Sequence, residues 1–115
     1  MSRPSQVFQD HLDSVSALCH QANPDPRALQ GQFLALQQTF QREVLPLSLG
    51  HAAHLQPLLT EMNRALRLIA MDVAFLQTAR QPQTRHQRQH QMLARLTQLA
   101  TFTATLDQSL NSDQV

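Results

Sequence analysis

The chain has 115 residues, a length suited to one domain built on one apolar core. Its formal charge of +1 gives it no overall attraction to nucleic acid or to a membrane surface. Leucine and glutamine dominate, glycine is scarce, and tryptophan, tyrosine and lysine are absent, which favours helices and argues against a strand-built fold.

Four helices are predicted from the apolar spacing, over residues 5–21, 26–45, 57–81 and 83–110. In the first, Phe8, Leu12, Val15 and Cys19 recur at steps of four, three and four, with Leu18 beside them. Asn23-Pro24-Asp25-Pro26 stops it, because each proline disfavours helix in the residue before it. Asp25 can cap the second helix and Pro26 suits its first position. There Leu29, Phe33, Leu36, Phe40 and Val44 form the stripe, and glutamines lie mostly off it. Pro46, Ser48 and Gly50 interrupt the pattern.

The third segment carries the strongest signal. Leu55, Leu59, Met62, Leu66, Ile69, Val73 and Leu76 make a heptad-like seam, widened by Leu58, Ala65, Leu68 and Phe75. Pro57 either starts this helix or kinks a longer one. In the fourth segment the apolar face is expected at Met92, Leu93, Leu96, Leu99, Ala100, Phe102, Leu106 and Leu110. Its first two turns, residues 83–91, are polar and either project past the core or face solvent. Short connections force consecutive helices to run antiparallel, so the expected fold is a single-domain, all-α, up-down four-helix bundle over residues 1–115. Fraying is expected at about residues 1–4 and 111–115.

Groups for catalysis or metal binding are sparse. His86 and His90 share a helix face, but a metal needs a third ligand and the neighbours Arg85 and Arg88 repel cations. His51 and His54 lack an acidic partner close in sequence. Cys19 lies on an apolar stripe and cannot form an internal disulfide, which fits a reducing compartment. There is no glycine-rich phosphate loop and no nucleophile elbow. The expectation is a protein that is not an enzyme and takes no cofactor or metal. The first residues lack the apolar run of a signal peptide, and no window holds 18 consecutive apolar residues, so the expected location is the cytoplasm, off the membrane.

Charge is unevenly placed. Residues 64–95 hold Arg64, Arg67, Arg80, Arg85, Arg88 and Arg95 against one acid, Asp72. These arginines read either as a solvated face or as a docking surface for an acidic partner. Nucleic acid is not expected, since no aromatic residues are interleaved for stacking. Asp72 either reaches solvent at the seam's edge or is partly buried and paired with an arginine from another helix, Arg80 or Arg85.

The run from Leu68 to Pro82, followed by Thr84 and Arg88, resembles the signature of the cyanobacterial PatD family, the heterocyst frequency control proteins. Met71-Asp72, Phe75-Leu76-Gln77 and Ala79-Arg80-Gln81-Pro82 carry the resemblance. It implies a short helical regulator of cell division or heterocyst differentiation that acts on a protein partner, the tubulin-like division protein FtsZ. The candidate site residues are Asp72, Arg80, Gln81, Pro82, Thr84, Arg85 and Arg88, gathered at a corner that is either a docking point or a structural staple. The alternative is a self-associating bundle or an adaptor for an unrelated acidic protein. A homodimer through the seam of the third helix is motivated by the leftover apolar residues Leu34, Leu47, Leu49 and Leu58.

Overall fold

The computed structural model describes residues 5–50 and 53–113, and every element of regular structure among them is helical. Helix α1 spans Gln6–Cys19, α2 Pro26–Thr39, α3 Leu47–Gly50, α4 Gln56–Thr78 and α5 Pro82–Asp113. A π-helical turn at Phe40–Val44 prolongs α2, and a 3-10 turn at Ala53–Leu55 leads into α4. The all-α bundle expected from the periodicity is therefore the fold. The four long helices are the four foreseen; α3 is an added single turn where Pro46, Ser48 and Gly50 broke the pattern.

Each stripe read from the sequence of α1, α2 and α4 is buried in one core, including the whole α4 seam from Leu55 to Leu76. Burying an aliphatic or aromatic side chain of this size contributes roughly 1.5–3 kcal/mol, so these stripes supply the main driving force. The seam is consumed within the chain, so a homodimer would have to use another face. Leu47 and Leu58 pack against the core, whereas Leu34 and Leu49 remain exposed.

The cross-helix contacts set the directions. Phe8 meets Phe40, while Leu18 and Gln21 share a hollow with Ala28. Gln77 donates to the Pro26 carbonyl at 2.7 Å, while Arg67 and Asn63 lie by Gln37 and Gln41. Arg95 bonds Asp72 and Arg88 covers Phe75. Ser5 donates its hydroxyl to Asp107 at one end of α1, and Gln89 reaches the Cys19 carbonyl at the other. In every pair the numbering rises along one helix as it falls along its neighbour, so α1–α2, α2–α4, α4–α5 and α5–α1 are all antiparallel. The 32 residues of α5 set the long dimension of 51 Å, since they span about 48 Å at the α-helical rise.

Local chemistry explains the ends. The Asp25 carboxylate accepts the Arg27 backbone N–H at 3.2 Å, and Pro26 opens α2. Pro57 lies in the first turn of α4, so that helix starts there rather than kinking. The last two long helices each end three residues from the expected position. α4 stops at Thr78, short of residue 81, because Ala79 turns to an extended conformation (φ −67°, ψ 123°). α5 runs on to Asp113, so residues 111–113 are helical, and the fraying expected at residues 1–4 and 114–115 lies outside the described residues.

The π turn also has a reason. From Leu36 to Phe40 to Val44 the stripe takes two successive steps of four, and each overshoots an α-helical turn by about 40°. The wider turn, closed by the Leu45 N–H on the Phe40 carbonyl at 2.8 Å, brings Val44 back onto the core, where it is fully buried. On α5, Thr103 rather than Phe102 fills the core position between Leu99 and Leu106. Its hydroxyl donates to the Leu99 carbonyl at 2.8 Å, which makes its burial affordable. No helix among the described residues is long and apolar enough to cross a membrane.

Candidate functional site

The corner between α4 and α5 takes three residues. The Ala79 N–H bonds the Phe75 carbonyl at 2.9 Å and closes α4; Arg80 and Gln81 turn; Pro82 opens α5. The Gln81 carbonyl accepts the Arg85 N–H at 3.0 Å and begins the α5 ladder. Proline fits this first position because its missing N–H would have no helical partner.

The structure divides the candidate residues into two groups. Arg80, Pro82 and Arg85 line a cleft of about 260 Å³ at the end of the bundle. His86 joins them, the α1–α2 connection supplies Asn23 and Pro24, and Leu76 lies at its base. Among the described residues the cleft has no carboxylate in its lining, and neither guanidinium has a side-chain partner. Arg80 is exposed and Arg85 half-buried. Gln81 is exposed and Thr84 half-buried, and neither lines the cleft.

Asp72 and Arg88 belong elsewhere. Asp72 is completely buried. Arg95 Nη1 donates to both of its carboxylate oxygens at 2.8 Å and to the Leu68 carbonyl at 3.2 Å. Arg88 Nη1 stands 3.7 Å from Asp72 Oδ1, with its guanidinium 3.9 Å above the Phe75 ring. The pairing of Asp72 with Arg80 or Arg85 is thus corrected to Arg95 and Arg88. Asp72 lies six helical steps, about 9 Å, before Thr78. Arginines at the corner therefore sit too far along the bundle, whereas α5 carries Arg88 and Arg95 back past it. Burial holds the Asp72 carboxyl above its ordinary range, against the hydrogen bond and charge of Arg95 and the charge of Arg88.

Gln89 closes the cleft's inner wall. Its amide donates to the Cys19 and Gln21 carbonyls, each at 2.7 Å, and satisfies the free end of α1. It sits in a polar run where nothing in the spacing singles it out. Arg95 has a faint signal, since it lies seven residues after Arg88 and so shares its face. Replacing Gln89 with alanine is expected to lower stability by about 1–2 kcal/mol through the two lost bonds. Thermal unfolding followed by circular dichroism measures it, and an unchanged midpoint would deny that Gln89 ties α1 to α5.

Cys19 is buried, with its thiol pushed up to about 11 by burial and then by the Asp72 charge. At neutral pH it stays a thiol and packs as a small apolar group. Among the described residues no three histidine, cysteine or acidic side chains converge as metal ligands would.

The fold and site define a class: a small all-α bundle with an arginine-lined cleft where its first and last interhelical connections meet. Within that class the chain belongs to the CRR41 C-terminal domain family, whose model matches residues 5–104, from the start of α1 to the last turns of α5. No curated protein and no solved structure matches the chain.

Proposed function

We propose that the protein is a non-catalytic cytoplasmic regulator that binds an acidic segment of a protein partner in the cleft at the α4–α5 corner. One observation carries this reading. Arg80 and Arg85 line a single concavity with no carboxylate among the described residues to neutralise them, whereas Arg88 and Arg95 are committed to Asp72. Guanidinium groups present planar, paired donors that match carboxylates, and a concave setting strengthens the contact by limiting solvent screening. The chain's central reactive groups already have structural work: the Cys19 thiol is held protonated, and Asp72 is gripped by Arg95. The resemblance to PatD makes FtsZ the first partner to try and cell division or heterocyst control the process.

The test is capture of purified FtsZ by wild-type protein and by Arg80→Glu, Arg85→Glu and the double variant. Each single reversal is expected to weaken binding about tenfold or more, and the loss should grow on combination. Binding by wild type should also fall with added salt. Binding to the double variant equal to wild type removes the corner as the docking site. FtsZ failing to bind removes that partner and leaves the cleft to be tried with other acidic segments.

A further inference from the structure

A second surface lies between α2 and α4, away from the cleft. Two hollows, about 510 and 340 Å³, meet at Gln37 and make one groove along the pair. The floor of the larger hollow is apolar, formed by Phe33, Leu34, Ala70, Val73 and Ala74, and Leu66 is the apolar residue lining the smaller one. Leu34 is 52% exposed. Met71, 62% exposed, is three residues from Ala74 and four from Arg67 and so continues the apolar strip over the α4 rim. The rims are cationic, with Arg27 at one end and Arg42 and Arg67 at the other, and among the described residues no acidic side chain lines either hollow. None of these three arginine side chains has an acidic partner among the described residues. From Arg27 to Arg42 the groove runs about 22 Å, or about four turns of helix.

We infer that this groove docks an amphipathic helix of a partner protein, about four turns long, with an apolar stripe flanked by acidic residues. The floor takes the stripe, as helix-in-groove recognition requires, and the arginines at both ends select for flanking carboxylates. A basic or neutral amphipathic helix would bury the same apolar area but meet repulsion or nothing at the rims. That charge pattern also disfavours face-to-face pairing of two copies through this groove, which would set Arg27, Arg42 and Arg67 against their own counterparts.

The probe is a fluorescein-labelled synthetic helix of about 18 residues, with leucines on one stripe and glutamates beside it. Its controls are the same peptide with lysine for every glutamate and a scramble of the glutamate peptide. Fluorescence anisotropy with the full chain should show saturable binding of the glutamate helix, at least about tenfold tighter than either control. Leu34→Asp should weaken it about tenfold, and so, separately, should Arg67→Glu, whose side chain is exposed and leaves the core untouched. The Arg80→Glu/Arg85→Glu double variant should retain the component of peptide binding that Leu34→Asp removes, so the groove stands or falls apart from the cleft. Equal binding of all three peptides overturns the inference, as does full binding by both groove variants. A wild-type dimer in sedimentation velocity that Leu34→Asp dissociates overturns it in favour of a second copy.

Discussion

Replacing Arg95 with methionine is expected to lower the unfolding free energy by about 3–4 kcal/mol at neutral pH, because it leaves a buried carboxylate without its main counter-charge. For a domain of this size that is a fall in midpoint of about 12–15 °C. Asp72 has no solvent exposure, and its two oxygens rest on a single Arg95 nitrogen at 2.8 Å. Arg88, at 3.7 Å, is a weaker substitute. The pH dependence has a definite sign. Burial already holds the Asp72 carboxyl above its ordinary value, and loss of Arg95 removes the largest opposing influence, so the folded-state value climbs further. A carboxyl raised on folding favours the folded state while the unfolded chain's carboxyl is still protonated, and that advantage is lost as pH rises through the folded value. The variant's deficit should therefore be full near neutrality and shrink as pH falls toward about 4, the unfolded carboxyl's range. Combining Arg95→Met with Asp72→Leu should recover most of the loss and abolish the pH dependence, since no charge is then stranded. Chemical unfolding of wild type, Arg95→Met, Asp72→Leu and the double variant at two pH values measures this; a deficit below about 1 kcal/mol in Arg95→Met would mean that Arg95 does not hold Asp72.

Phe40→Ala is expected to lower stability by about 3–5 kcal/mol, the range for emptying a fully buried aromatic site. Phe40 is completely buried where α2 passes into its π turn, and its ring lies 5.9 Å from that of Phe8 at 54°. The cavity would open where the π turn after α2 packs on the first turns of α1, and there the backbone is already held in a wide turn and cannot easily collapse inward. Phe40→Leu, which keeps most of the volume, should cost about 1–1.5 kcal/mol. Urea unfolding with an unchanged slope would show that the loss is native packing rather than a change in the unfolded chain. A loss under about 1.5 kcal/mol for the alanine variant would show that the site closes up. A double-mutant cycle with Phe8→Leu should return a coupling of about 0.5–1.5 kcal/mol for the ring pair.

The two variants probe parts of the molecule that differ in how far the sequence announced them. Phe40 was legible: it stands on a stripe with Leu29, Phe33, Leu36 and Val44, and all five are buried. The π turn was not, although two consecutive steps of four are its trace. Asp72 stood out as an acid in the most apolar stretch, yet its partner was out of reach of spacing. The corner residues, read as one group, divide: Arg80, Pro82 and Arg85 go to the cleft, and Asp72 and Arg88 to the α4–α5 seam. Asn23 and Pro24, which complete the cleft, are distant in sequence and carry no chemical signal of their own.

The order of residues was enough to determine that the chain forms helices, which face of each is apolar, and where Asp25-Pro26 and Pro82 start new ones. These depend on interactions within about four residues, and the helical period writes them into the spacing. Only the tertiary structure decided which arginine answers Asp72, that Gln89 ties off α1, that Thr103 enters the core, and that two distant connections enclose one cleft. Those outcomes depend on how far one helix slides against the next. A shift of one turn, about 5.4 Å, would exchange the partners of every long side chain while leaving each local pattern unchanged.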